Sequence, residues 1–116
     1  MHELSIAEAV LAVAREHAGD RRVVSVRVEV GHLRQVVPDA LAFAFELLAP
    51  DVELEIVEVP AEGRCRACRA TSVLDGFPLT CAACGSLDVE VVRGEELSVE
   101  SLEVEEPETV SGRVER

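Results

Sequence analysis

The chain has no lysine, no tryptophan and no tyrosine, and only three phenylalanines and one methionine in 116 residues. All 11 basic residues are therefore arginines, set against 23 acidic ones for a net charge of −12. Phosphate binding needs clustered cations, so that balance argues against a nucleic-acid backbone as the main partner and disfavours an anionic membrane surface. Aromatic platforms for base stacking are scarce as well. No window is long and apolar enough to span a bilayer. The apolar run from Ile6 to Ala14 lacks the positive flank of an export signal and is joined by Glu3 and Glu8 instead. The expectation is a cytoplasmic protein, whose thiols stay reduced.

With so few aromatics the core must be built from Val, Leu and Ala. A hydrophobic fraction of 48% is enough for one modest domain or a small core with an appended module. Apolar residues at Leu4, Ala7, Leu11 and Ala14, with Ile6, Val10 and Val13 beside them, predict a helix over 4–18. Val24, Val26, Val28 and Val30 alternate with Ser25, Arg27 and Glu29 and predict a strand over 22–30. Pro38 opens a second helix over 38–48, with Asp39 suited to its first turn. A second strand is expected over 52–59, with a change of phase at Val57 that implies a bulge or a face swap. Val89, Val91 and Val92 suggest a returning strand. Leu97 and Val99, then Leu102 and Val104, read as a last strand that slips phase and returns to the first sheet. The order is helix, strand, helix, strand, cysteine module, strand.

All four cysteines fall in that module. Cys65 and Cys68 form one Cys-x-x-Cys pair, Cys81 and Cys84 another, with twelve residues between the pairs. Two such turns facing each other supply four sulfurs in a tetrahedron, the arrangement Zn²⁺ favours, and the ion ties a loop too small to fold alone. Disulfides, free thiols and a rubredoxin-like iron site are the other readings of the same spacing. Val73, Leu74, Phe77 and Leu79 are the expected apolar filling, and Gly85 suits the tight turn after Cys84. A four-sulfur zinc has no open position, so the reading is structural. Arg64, Arg66 and Arg69 crowd the first pair and offset the charge of the thiolates.

The chain opens Met1-His2-Glu3. A histidine at position two lets the α-amine, the deprotonated His2 amide and the imidazole form adjacent five- and six-membered chelate rings. Ni²⁺ and Cu²⁺ favour such planar nitrogen sets. The Glu3 amide nitrogen is one source of a fourth ligand. Composition alone favours a chance histidine at a frayed terminus. His17 reads as a boundary residue near a helix end and His32 as a loop residue.

The stretches MHELSIAEAV, VEVGHLRQVVPDALAFAFELL, the knuckles CRAC and CAACGS, and GEELSVESLEVEE together resemble the HypA/HybF family of hydrogenase nickel-incorporation proteins over about residues 1–106. The second knuckle of that family commonly has Pro after its first cysteine, where this chain has Ala82. The resemblance implies an α+β fold, a small mixed three-stranded sheet with two helices plus an inserted four-cysteine zinc ribbon. It implies a nickel-binding domain of residues 1–62 and 93–106, a zinc-binding domain of 63–92 and a disordered tail over 107–116. It implies a metallochaperone and not an enzyme. Nickel would be held by His2, with the Met1 α-amine and the Glu3 backbone beside it, and structural zinc by Cys65, Cys68, Cys81 and Cys84. The implied partners are a HypB-type GTPase, the [NiFe]-hydrogenase large subunit and, in some bacteria, urease maturation proteins. From a different class, the cysteine module also fits a zinc-ribbon interaction module of transcription or translation, and a redox dithiol protein is a third reading.

Overall fold

The computed structural model describes residues 2–105; Met1 and residues 106–116, the expected tail among them, lie outside the described residues. The chain runs α1 (Glu3–Ala18), β1 (Arg22–Gly31), a single 3-10 turn (His32–Arg34), α2 (Pro38–Leu48), β2 (Glu53–Val59), β3 (Glu62–Cys65), β4 (Thr71–Val73), β5 (Val89–Arg93) and β6 (Leu97–Glu105). Two three-stranded sheets form, in the orders β2-β1-β6 and β4-β3-β5. The α+β fold with two helices and a small mixed sheet is as the resemblance implied.

The chain divides into two compact units, 2–28, 36–56 and 98–105 in one and 29–35 and 57–97 in the other. The division falls inside β1, β2 and β6. In the first unit α1 buries Ala7, Val10, Leu11, Ala14 and Ala18. These recur at helical spacing and form the stripe a packed helix needs. Leu41 and Phe45, one turn apart on α2, are almost wholly enclosed, as are Val26 and Val28 of β1. Each such side chain contributes about 1.5–3 kcal/mol by leaving water.

Cross-strand pairs give the strand directions in this unit. Arg22 reaches Asp51 and Arg27 reaches Glu55, so partners on β1 and on the β2 side rise together and the pair is parallel. Arg22 with Glu105, Ser25 with Glu103 and Arg27 with Glu100 run in opposite senses, so β1 and β6 are antiparallel. The parallel pair is joined through α2, the crossover such pairing requires. The two phase slips read from the sequence are present. In β2 both Ile56 and Val57 are half-buried, and in β6 Glu100 and Ser101 are both exposed. The slip in β2 lies where the chain passes from one unit to the other.

In the second unit β3 pairs antiparallel with β4 and with β5, with a register shift at Glu62/Gly63. β3 and β4 were not anticipated. They are four and three residues long, too short for alternation to show. The expected apolar filling is corrected here. Leu74 is buried, its N–H donating to the Ala61 carbonyl, but Val73 and Phe77 are exposed. Val73 ends an edge strand of three residues, and Phe77 lies in the irregular loop beyond. Three backbone segments also meet closely. A Cβ on Gly31 would overlap the Gly94 carbonyl, and one on Gly94 would lie 2.6 Å from the Ala61 Cα. Only glycine permits that approach. The Gly31 N–H donates to Glu96 O at 2.7 Å and the Leu33 N–H to Gly94 O at 2.8 Å.

Candidate metal centre

The two cysteine pairs sit on two turns with one hydrogen-bond pattern. In the first, the Cys65 N–H donates to Ala70 O at 2.9 Å and the Arg69 N–H to Cys65 O at 2.8 Å. In the second, the Cys81 N–H donates to Ser86 O at 2.9 Å and the Gly85 N–H to Cys81 O at 2.8 Å. Each turn requires a left-handed residue four places after its first cysteine. Arg69 fills that place with φ +69° and Gly85 with φ +79°. Backbone N–H groups also aim at sulfur, Cys68 at Cys65 Sγ (3.4 Å) and Ala83 at Cys81 Sγ (3.3 Å). Amides pointed at a sulfur stabilise its thiolate form.

Across the turns, Cys65 Sγ stands 3.6 Å from Cys84 Sγ and Cys68 Sγ stands 3.6 Å from Cys81 Sγ. All four sulfurs lie within 4.8 Å of one another. Sulfurs about 2.3 Å from a central ion are about 3.8 Å apart in a tetrahedron, so the set fits one metal ion. It does not fit disulfides, and all four cysteines are free. Cys65 and Cys81, the first of each pair, are buried, whereas Cys68 and Cys84 are exposed.

The metal-free thiols divide in charge. The Cys84 amide, then burial acting the other way, then the Ala83 amide bring Cys81 down to about 6. Cys65 is lowered, chiefly by the Cys68 amide. At Cys84 the Ser86 amide pulls downward, but the Cys65 and Cys68 sulfurs and burial push the thiol up to about 12. At Cys68 the Ala70 amide pulls downward, while Cys81 and burial raise the thiol on balance. Four close sulfurs cannot all be anionic without a cation between them. Of the arginines expected to offset this charge, Arg66 binds the Asp88 carboxylate at 2.9 Å, and Arg64 and Arg69 are exposed.

At the other candidate site His2 is the N-cap of α1, its side chain 49% exposed and its carbonyl accepting the Ile6 N–H at 3.0 Å. The first amides of a helix have no carbonyl partner within it, so the backbone nitrogens here are not committed to the helix ladder. His2 Nε2 lies 4.0 Å from Glu3 Oε2, which leaves Nδ1, the nitrogen a six-membered chelate ring uses, on the other side of the imidazole. Met1 lies outside the described residues. A helix N-terminus disfavours a cation, and the Glu3 carboxylate beside His2 acts against that field.

The Glu3 side chain is what the sequence reading missed. That reading gave Glu3 only a backbone role, yet its side chain is 7% exposed and its carboxylate accepts the Val37 N–H at 3.1 Å. Val37 is the N-cap of α2, and Glu3 of α1 accepts the backbone N–H of Val37 itself, the bond that a Glu or Gln three residues into the helix makes in a capping box, where this chain has Ala40. A signal was available: the third helical residue, Ala40, is not the Glu or Gln of a capping box, so the Val37 N–H must find its acceptor elsewhere. His17 is exposed, its Nδ1 donating to Val13 O at 2.9 Å, and His32 Nε2 donates to Asp75 O at 3.0 Å. Neither joins the cysteines, since among the described residues the metal-competent cluster consists of the four thiols.

The family model for hydrogenase/urease nickel incorporation, metallochaperone, HypA, matches residues 1–104. The chain belongs to the HypA family. Among relatives, the hydrogenase maturation factor HypA of Geotalea uraniireducens is 46% identical over 110 residues, covering 90% of this chain and 100% of that one. The hydrogenase maturation factor HypA of Nostoc punctiforme is 37% identical over 111 residues, covering 91% and 97%. Among solved structures, the solution structure of the nickel metallochaperone HypA from Helicobacter pylori superposes with a TM-score of 0.62 at 27% identity, covering 90% of this chain and 97% of that one. The HypA assignment covers the N-terminal residues as well as the cysteine module. Among the described residues no helix is long and apolar enough to cross a membrane.

Proposed function

We propose that this HypA-family chain is a nickel carrier that binds Ni²⁺ at its N-terminus and delivers it to the large subunit of a [NiFe]-hydrogenase. The observation that carries the reading is an exposed His2 at the N-cap of α1, in a family of nickel-incorporation metallochaperones. The ligands are the Met1 α-amine, the His2 amide and imidazole and the Glu3 backbone nitrogen. Amide coordination releases its protons to solvent, and the resulting nitrogen anions offset the Ni²⁺ charge. Glu3 holds the start of α1 against the N-cap of α2 through Val37, so His2 is presented from an anchored turn. The protein acts as a carrier and not as an enzyme, in the cytoplasm, and transfer is an exchange of ligands with the partner's site. A HypB-type GTPase is the proposed co-worker, with urease maturation as a further route in some bacteria.

On the same reading Cys65, Cys68, Cys81 and Cys84 hold one structural Zn²⁺. Four thiolates close the coordination sphere and supply shape, with no open position for chemistry. The zinc-binding domain is residues 63–92 and the nickel-binding domain 1–62 with 93–106. The test is a Ni²⁺ titration of the untagged protein, of His2→Ala and of a variant with one residue added before Met1. Both changes should remove the nickel site while zinc stays at one ion per chain. Unchanged nickel affinity in both refutes the assignment.

A further inference from the structure

α2 is apolar on two faces, and among the described residues only one is buried. Leu41, Ala44 and Phe45 are buried, while Phe43 and Leu47 are 63% and 65% exposed and Leu48 is also exposed. Phe43 and Leu47 stand one turn apart, so their side chains form a ridge along the helix surface. Val37, at the helix start, is exposed as well. A ridge of this kind on a surface helix is the half of a helix–helix contact that a partner completes.

The charge around the ridge limits what can cover it. The remaining exposed positions of α2 include Asp39 and Glu46, and there is no basic residue anywhere in Pro38–Leu48. The unit that contains α2 carries twelve acidic residues against four arginines among its described residues, a net −8. Arg22 is already held by Asp51 and Glu105, and Arg27 by Glu55 and Glu100. A second copy of the chain would bring −8 against −8 across a dry contact, which like-charge repulsion opposes. A partner with an apolar stripe rimmed by Lys and Arg meets complementary shape and charge together.

We propose that the Phe43–Leu47 ridge of α2 is a docking surface for an amphipathic helix of a partner protein, apolar along one stripe and rimmed by Lys and Arg. The recognition is separate from the metal sites and holds whichever metal the protein carries. Apolar contact at Phe43 and Leu47 supplies the affinity, and Asp39 and Glu46 select the partner's sign and speed its approach.

The test uses the full-length zinc-loaded protein, labelled for amide NMR, and three synthetic helical peptides. The first has a Leu stripe rimmed by Lys, the second the same stripe rimmed by Glu, and the third the Lys rims with Ala in place of Leu. The Lys-rimmed Leu peptide should saturate shifts centred on residues 39–48, and the other two should not. The double variant Phe43→Ser with Leu47→Ser should bind it about tenfold more weakly or worse, with its other amide shifts unchanged. Binding should weaken further as salt is raised. Equal binding of the Ala peptide, or shifts centred elsewhere, overturns the proposal. So does sedimentation showing that the wild type self-associates and that the double variant does not, since a second copy is then the occupant.

Discussion

Zinc loading of the cysteine cluster should release between about two and about three protons per chain at pH 7, not four. If the four thiols kept their ordinary value of 9.0, nearly every one would be protonated at pH 7 and zinc would displace four protons. The folded turns change this. Cys81, brought down to about 6 by the Cys84 and Ala83 amides, has already lost about nine-tenths of its proton at pH 7. Cys84, pushed up to about 12, and Cys68, also raised, keep theirs until the metal arrives. Cys65, lowered chiefly by the Cys68 amide, contributes at most one. The sign with pH follows. A lowered thiol stabilises the folded, metal-free module above its ordinary range and loses that contribution as pH falls through about 6. At pH 5 Cys81 is protonated again, so release should rise by about 0.8 of a proton from Cys81, to which Cys65 can only add. Calorimetric titration of zinc into metal-free protein, in buffers of different ionisation enthalpy, reads the number directly. Release of four protons at pH 7, unchanged at pH 5, would show that the turns do not aim their amides at sulfur before metal binds.

Other perturbations test other parts of the fold. Gly31→Ala drives a Cβ into the Gly94 carbonyl and disturbs the Gly31 and Leu33 hydrogen bonds, so urea unfolding should show a loss of about 3 kcal/mol or more; a change within about 0.5 kcal/mol contradicts the close approach. Arg69→Gly should be neutral or stabilising by up to about 1 kcal/mol, because it relieves the +69° φ that Gly85 accommodates in the matching turn, and a clear loss of stability counts against the equivalence of the two turns. Glu3→Ala leaves the Val37 N–H without its carboxylate and should cost about 1–3 kcal/mol in denaturant melts. Because the backbone donors remain, that variant should also keep more nickel affinity than His2→Ala, and the reverse order in a metal competition assay would place the Glu3 side chain among the ligands.

The parts of the fold legible in the sequence are those with room for a period. Alternating valines gave β1, Pro38 and Asp39 gave the start of α2, and the phase changes at Val57 and after Val99 are present in β2 and β6. β3 and β4 escaped because they are too short to alternate; the first cysteine turn, closed by the Cys65 N–H to Ala70 O bond, joins them. The side chains at Val73, Phe77, Phe43 and Leu47 are plainly apolar in the sequence, which says nothing of whether the chain itself covers them. The four-sulfur cluster was fully legible, since two Cys-x-x-Cys turns leave few other ways to bring four thiols together. The buried Glu3 was not, because a carboxylate in a first helical turn is ordinary and one of its partners, Val37, lies thirty-four residues away.

The two candidate sites differ in the property that a carrier needs. On the proposed reading, four thiolates on hydrogen-bonded turns would close the coordination sphere of a zinc ion, and each sulfur already meets a backbone amide or a second sulfur. Release from such a set would require several bonds to break before an incoming ligand could enter, so exchange there would be slow and the ion would serve the fold. At His2 the imidazole is half exposed, the backbone nitrogens stand at an open helix start, and the positive end of the helix dipole works against the cation. On that reading those features would lower affinity relative to a closed site and would also leave a face from which a partner's ligands could replace the chain's own one at a time. On the proposed reading, the buried Glu3 supplies the counterweight. It adds negative charge beside the helix start and ties that start to α2, so the open site is anchored without being enclosed.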